Sequence, residues 1–96
     1  MADRDNERIL VYRNQTSILL DDLVALVRDD ALAGDLRVFS NDVMELKPDF
    51  AFGMKQAREL KELTERTLKQ YASHTIRDDD LIRYSSEARM VLQGED

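Results

Sequence analysis

Apolar side chains recur at every third or fourth position through the first third of the sequence. An α-helix advances by about 100° per residue, so this spacing gathers them on one face, whereas a strand would need alternation with a period of two. The spacing therefore predicts a long helix that packs against other helices. Its packing face comprises Ile9, Tyr12, Thr16, Leu19, Leu20, Leu23, Leu26 and Val27.

We expect this first helix to run from about Asp5 to about Leu32. Gly34 stands where a glycine in the left-handed conformation commonly ends a helix. One alternative remains open, because four consecutive polar residues at 14–17 interrupt the apolar row. Such a run can kink a helix, or start a new one with a hydroxyl residue as its N-cap.

Residues 35–47 carry a weaker pattern. It fits an extended segment at 36–39, followed by a short helix that has Ser40 as its N-cap and carries Met44. We expect Pro48 to end that short helix, because the residue before a proline avoids the α region.

Pro48 also suits the first turn of a further helix, which we expect to run from Asp49 to Ala72 with a charged outer face. Opposite charges four residues apart on that face, such as Lys61 and Glu65, favour the helix. A turn follows, and the last helix is expected from Asp79 to Gln93.

These elements predict an all-α fold, namely an antiparallel helical bundle of three main helices plus one short helix, in a single helical domain spanning residues 1–96. The 96 residues include one Pro and three Gly, and 35% of them are charged, which favours helices over sheets. The last main helix is shorter than the other two, so part of the long pair is expected to lack cover. That mismatch favours self-association or the binding of a partner.

A second apolar row on the first helix also favours self-association or the binding of a partner. Val11, Ile18 and Ala25 are spaced seven residues apart, on roughly the opposite side from the packing face. Apolar residues on two sides of a helix predict contacts on two sides, so we interpret this row as an intermolecular interface. Two alternatives are that the helix is central in the monomer, or that the residues are scattered exposed apolar side chains.

Aromatic and methionine side chains cluster in sequence around Pro48. Such residues are favoured at adaptable binding surfaces, so we include four of them in the candidate interface. The alternative is a layer that closes one end of the bundle. The four residues are Phe39, Phe50, Phe52 and Met54.

Two acidic pairs, Asp21 with Asp22 and Asp29 with Asp30, are interpreted as an acidic rim that meets a basic partner. The alternative is a solvated face near the end of the first helix. Negative charge is disfavoured at a helix C-terminus, so the second pair is mildly misplaced in the predicted helix.

The sequence offers little for catalysis or for cofactors. It contains no Cys, which excludes disulfides and thiolate metal sites, and His74 is its only histidine. His74 follows Ser73 directly, and neighbouring side chains seldom reach catalytic geometry. The run Asp78–Asp80 cannot converge on one metal ion, because consecutive helical residues point about 100° apart, and it suits the capping of a helix. We therefore expect no enzymatic activity, no cofactor and no metal.

The favoured function is that of a small cytoplasmic regulatory protein, which binds or sequesters a protein partner of unknown identity by helix packing and forms a homodimer. No membrane segment is expected, because no apolar run in the sequence exceeds five residues, far fewer than a span needs. The alternative function is a transcription-associated nucleic-acid-binding factor, or an acidic decoy that mimics phosphate. A net charge of −6 argues against nucleic acid, as does the aspartate run at the start of the last helix. In that alternative the phosphate contacts would come from Lys55, Arg58, Arg66 and Lys69.

Overall fold

The computed structural model describes residues 2–49 and 52–93. These residues form four helices: α1 (Ala2–Leu26), α2 (Asp30–Glu45), α3 (Met54–Ala72) and α4 (Asp78–Leu92). The described ranges contain no β-strand, which confirms the all-α expectation for this part of the chain. The helices have 25, 16, 19 and 15 residues, so the expected set of three main helices and one short helix is wrong.

Helix α1 passes through the polar segment 14–17, so no new helix begins there. The Thr16 hydroxyl donates a hydrogen bond to the Tyr12 carbonyl oxygen, one turn earlier, at 2.8 Å. The Ser17 hydroxyl lies 2.9 Å from the hydroxyl of Ser40 in α2. Thr16 and Ser17 are buried, and the helix tolerates them on its packed face because each hydroxyl has a partner.

The prediction that the first helix continues to Leu32 is wrong, because the helical conformation stops over residues 27–29. Asp29 is the N-cap of α2, with an extended backbone and a carboxylate that accepts a hydrogen bond from the Leu32 N–H at 3.0 Å. Aspartate is among the preferred N-cap residues, and this local bond competes with continuation of α1.

The interpretation of residues 35–47 is also wrong, since the whole segment from Asp30 to Glu45 forms one helix. Gly34 lies inside α2 rather than at a helix end, and a Cβ added there would meet no atom within 4 Å. Ser40 is buried against α1 instead of capping a helix. Burial of Leu36 and Phe39 outweighs the weak helix preference of the glycine.

Helix α3 ends at Ala72 as expected, but it begins at Met54 rather than at Asp49. The Asp49 carboxylate accepts a hydrogen bond from the Phe52 N–H at 3.1 Å, so Asp49 is bonded to the segment before the helix and is not part of the helix. Gly53 is the N-cap, and its N–H donates to the Gln56 side chain at 3.3 Å. The helix therefore begins after Gly53 and not at Pro48 and Asp49, where the sequence predicted its start.

Helix α4 agrees with the prediction to within one residue at each end. Its first turn carries the run Asp78–Asp80, and Asp80 accepts a hydrogen bond from the Arg77 N–H at 3.0 Å. The expected capping role is therefore confirmed for Asp80, with Arg77 as the N-cap residue.

Helix α1 packs against α2 and α3, and α4 packs against α3 and α2, so that buried side chains from all four helices share one core. Phe52, in the turn before α3, also enters the core. No helix within the described ranges has the length and apolarity needed to cross a membrane. The largest fully buried apolar side chains are Leu20, Leu23, Leu36, Phe39, Val43, Phe52, Leu60 and Leu81.

Candidate functional site

The outer face of α1, which we define by Val11, Ile18 and Ala25, is exposed. The exposed fractions of Val11 and Ile18 are 52% and 61%. The row lies on the opposite side of the helix from the buried Leu20 and Leu23, because a seven-residue spacing returns to nearly the same face. No described part of the chain covers the row, so the alternative in which α1 is central and buried on all sides is wrong.

Polar side chains flank the outer face of α1 in two groups of different charge. Asn14 and Gln15 lie on the N-terminal side of Ile18, and Asp21 and Asp22 lie on its C-terminal side. All four flanking side chains are exposed. Around Ile18 the polar border of the row therefore changes from uncharged to acidic along the helix, whereas Glu7 and Arg8 are exposed beside Val11 at the N-terminal end of the row.

Hydrogen bonds hold two of these flanking side chains. Arg13 donates from Nε and Nη2 to Oδ1 of Asn14, at 3.3 and 3.1 Å, and from Nη1 to the Leu46 carbonyl oxygen, at 2.7 Å. The Asn14 amide N–H groups remain as donors that can point outward. The Ser40 hydroxyl donates to Oδ1 of Asp21 at 3.1 Å, which fixes that carboxylate at the edge of the face.

The second acidic pair does not extend this border along α1. Asp29 and Asp30 lie at the N-terminus of α2, one as the N-cap and the other in the first turn. The expectation that they occupy an unfavourable helix C-terminus is wrong, because the positive end of the α2 dipole stabilises both. Of the predicted acidic rim, only Asp21 and Asp22 lie beside the outer face of α1.

The aromatic part of the predicted interface is corrected by the structure. Phe39 and Phe52 are both 1% exposed and belong to the core, so neither can serve as a docking surface in this fold. Met54 is half-buried and packs against the core. Phe50 lies outside the described residues. Phe39 and Phe52 instead pack in the core, where large apolar side chains are most stable.

Phe39 takes part in a polar junction between α2 and α4 that the sequence did not indicate. Its ring meets the Tyr84 ring edge-on, with centroids 6.5 Å apart, and the Arg89 guanidinium lies 4.9 Å from its centre. Arg89 also forms an ion pair with Asp35 at 3.2 Å and donates a hydrogen bond to the Ser85 hydroxyl. These contacts stabilise the packing of α4 on α2.

A second buried polar contact joins α3 to α4. The hydroxyls of Thr64 and Tyr84 lie 2.6 Å apart, and both side chains are buried. Burial raises the pKa of Tyr84 to about 12, although the hydrogen bond with Thr64 and the nearby charge of Arg89 oppose the shift. Tyr84 is therefore neutral at physiological pH, as a core residue should be.

An open groove, which sequence reasoning missed, lies where the ends of α1 and α3 meet the start of α4. The Tyr71 hydroxyl donates to Oδ1 of Asp78 at 2.7 Å, and this bond together with partial burial raises the pKa of Tyr71. The groove carries charges of both signs and none of its charged side chains is fully buried, so it favours no single ligand charge. Its lining comprises Leu26, Arg28, Tyr71, Ala72, His74, Ile76, Arg77, Asp78 and Asp79.

His74 is exposed in the turn between α3 and α4 and has a positive φ of 62°. The neighbouring Ser73 hydroxyl bonds to the Thr75 hydroxyl at 2.8 Å and to the Gln70 carbonyl oxygen at 3.1 Å. These two bonds hold the Ser73 side chain within the turn. Residues 2–49 and 52–93 contain no group of three His, Asp or Glu side chains that could hold a metal ion.

The other exposed large apolar side chains are Leu26, which the sequence placed on the packing face of α1, and Val38, Met44, Ile82 and Met90, which lie on α2 and α4. Unlike the outer face of α1, they do not repeat at a seven-residue spacing over three positions.

Comparisons of the chain with protein-family models, with curated proteins and with solved structures give no match.

Proposed function

We propose that this chain is a small, non-enzymatic regulatory protein of the cytoplasm, which forms a homodimer through the outer face of α1 and binds a protein partner by helix packing. One observation carries the proposal. Val11, Ile18 and Ala25 form an exposed apolar row at heptad spacing on a helix whose opposite side is already buried. Burying such a row against another helix removes apolar surface from water, which is the main favourable term in association.

A contrast within the molecule supports this use of α1. The outward side of α3 exposes charged residues, with an ion pair between Lys61 and Glu65 at 3.2 Å. Charged side chains are depleted from the centre of protein interfaces, whereas apolar side chains are enriched there. The outer face of α1 is therefore the better candidate for the contact between copies.

We further propose that the four helices form an antiparallel bundle. Arg13 bonds to Leu46, at the far end of α2, whereas the later residue Ser17 bonds to the earlier residue Ser40. The order is likewise reversed between α3 and α4, where Thr64 bonds to Tyr84 and Tyr71 bonds to Asp78. Spin labels at positions 8 and 45 are then expected to lie closer together than labels at 8 and 30.

A partner protein would bind on a second surface while the copies hold each other through α1. Ile82 and Met90 are 57% and 49% exposed on the outward side of α4. Asp79 and Glu87 are exposed near Met90 on that side and favour a partner with basic groups, and the exposed Arg83 beside them offsets part of their charge.

The decisive experiment measures the mass of the protein in solution by light scattering at tens of micromolar. Wild type is expected at twice the mass of the chain, and Ile18→Glu is expected at the mass of one chain, because a buried charge in the interface has no partner. Gln70→Glu is the matched control, since it adds the same charge at an exposed site on α3 and is expected to stay dimeric.

A wild-type protein that stays monomeric, or an Ile18→Glu variant that stays dimeric, would overturn the proposed interface. Tight binding to duplex DNA that weakens steeply with salt would instead favour the nucleic-acid alternative.

A further inference from the structure

We infer that the second copy binds antiparallel across the outer face of α1, with Ile18 facing Ile18 and Val11 facing Ala25 of the other copy. This inference rests on the proposed homodimer and adds its geometry. It starts from the symmetry of the row, since Val11 and Ala25 are each seven residues from Ile18. An isologous interface pairs each position with its image in the other copy. A two-fold axis through Ile18 therefore gives three apolar contacts in a row, one between the two Ile18 side chains and two between Val11 and Ala25.

The positions of the charges decide between the two possible directions. Viewed along α1, Gln15 and Asp22 lie on one flank of the row, and Asn14 and Asp21 lie on the other. In a parallel pair, positions at the same height face each other, so Asp22 of one copy meets Asp21 of the other. This contact occurs twice by symmetry, and it places like charges together beside an apolar seam, which is unfavourable.

In the antiparallel pair the same flanks are complementary. Asp22 of one copy lies beside Gln15 of the other, and Asp21 lies beside Asn14. Each carboxylate then meets a side-chain amide that can donate hydrogen bonds. Arg13 occupies Oδ1 of Asn14, which directs the amide N–H groups of that residue to any further acceptor. All four flanking side chains are exposed and within reach of a second helix.

Cysteine cross-linking tests this geometry, because the chain has no Cys and each engineered thiol is unique. Positions 11 and 25 are 14 residues apart, or about 21 Å along the helix, whereas a disulfide needs Cα atoms within about 7 Å. Val11→Cys alone is therefore expected not to cross-link, and neither is Ala25→Cys alone. Their mixture is expected to form the mixed disulfide, identified by intact mass, and Ile18→Cys is expected to cross-link to itself.

The outcomes test the existence of the dimer separately from the relative direction of its two helices. Self-cross-linking of Val11→Cys and of Ala25→Cys, without the mixed species, would overturn the antiparallel direction while leaving the dimer in place. If Ile18→Cys also fails to cross-link and wild type is monomeric, the proposed dimer itself is wrong. Gln70→Cys, exposed on α3, controls for random collision and is expected to stay monomeric under the same oxidation.

A charge variant provides a second test without thiols. Gln15→Lys is expected to tighten the antiparallel dimer about threefold, because each new ammonium lies beside Asp22 of the other copy, and Gln15→Glu is expected to loosen it by a similar factor. Both effects should shrink in high salt. In a parallel dimer Gln15 meets Asn14 instead, so equal dissociation constants for the two variants would overturn the inference.

Discussion

Helices α1 and α3 lie side by side and contribute equally buried rows to the core, yet their outward sides differ. Leu20 of α1 and Leu60 of α3 are both fully buried. Outward, α1 presents Ile18 among uncharged and acidic residues, whereas α3 presents Glu65 between two lysines. The inner rows therefore determine how the helices pack, and the outer rows determine which surfaces the folded molecule offers for binding.

The largest expected effects test whether the two inner rows are equivalent. Leu20→Ala and Leu60→Ala should each lower the free energy of unfolding by about 2–5 kcal/mol, since each leaves a cavity in the core. Urea unfolding followed by circular dichroism measures both. A loss below about 1 kcal/mol for one variant alone would show that its helix contributes less to the core than its partner, and would break the comparison.

The next effect concerns the polar contact through which α3 holds α4, and it depends on pH. The folded pKa of Tyr84 is raised to about 12 from an unfolded value near 10. Below pH 10 the phenol is protonated in both states. As the pH rises from 10 to 12 mainly the unfolded state loses its proton, so the free energy of unfolding falls, by at most about 3 kcal/mol at pH 12. Urea midpoints across this range, measured for wild type and Tyr84→Phe, should show a smaller alkaline loss in the variant. Equal losses in both proteins would contradict the assignment.

The corresponding polar contact of α1 is the buried pair Ser17 and Ser40. Ser40→Ala should lower the free energy of unfolding by about 1 kcal/mol, because it leaves Ser17 without its hydroxyl partner and also removes the hydrogen bond to Asp21. Asn41→Ala, at the neighbouring exposed position, is the control and should stay within about 0.5 kcal/mol of wild type. An equal response of the two variants would mean that the polar contact between α1 and α2 contributes no stability.

The outer row of α1 should hardly affect the stability of the isolated chain. At submicromolar concentration Ile18→Ala is expected to unfold within about 0.5 kcal/mol of wild type, since the side chain is exposed. At high concentration the wild-type melting temperature should rise, because dimerisation favours the folded state, and that rise should be smaller in the variant. Melting curves at two concentrations measure this, and identical concentration dependence in both proteins would contradict an association role for α1.

The smallest effect lies on the outer side of α3. The hydrogen bond and charge of Lys61, aided by Lys69, lower the pKa of Glu65 below its ordinary value. A carboxylate with a lowered pKa adds stability above its unfolded pKa and loses it as the pH falls through the folded value. NMR titration should show Glu65 ionising below its ordinary pKa, and Lys61→Gln should return it toward that value. An unchanged pKa in the variant would show that the pair does not persist in solution.

The sequence predicted helices where the apolar spacing was continuous, and it failed where two helices share one continuous pattern. The spacing runs from α1 through residues 27–29 into α2, so it carries no mark of the break. The capping role of Asp29 could have been recognised, because aspartate is a preferred N-cap residue and Asp30 supplies the acidic side chain that is common in the first turn of a helix. Gly34 and Ser40 were misleading, since each resembles a helix end and both lie inside α2.

The candidate site likewise contains residues that the sequence identified and residues that it did not. The row of Val11, Ile18 and Ala25 was identified from spacing alone, and its exposure is what both an interface and scattered apolar side chains predict. Phe39 and Phe52 could not be assigned correctly from sequence, because an aromatic residue that closes a core and one that forms an interface have the same local pattern. The groove beside Tyr71 joins three helix ends that are distant in sequence, so no local pattern could indicate it.

By itself, the sequence determined the helical class and the apolar row on α1. It also determined both ends of α4 and the end of α3 to within one residue, but not the start of α3. Hydrophobic periodicity and capping chemistry act over four residues or fewer, so they can be identified without knowledge of the fold. Only the tertiary structure decided that Phe39 and Phe52 are buried and that nothing in the described chain covers Ile18. Each of these depends on contacts between residues far apart in the chain, because burial is a property of the packed helices and not of any one of them.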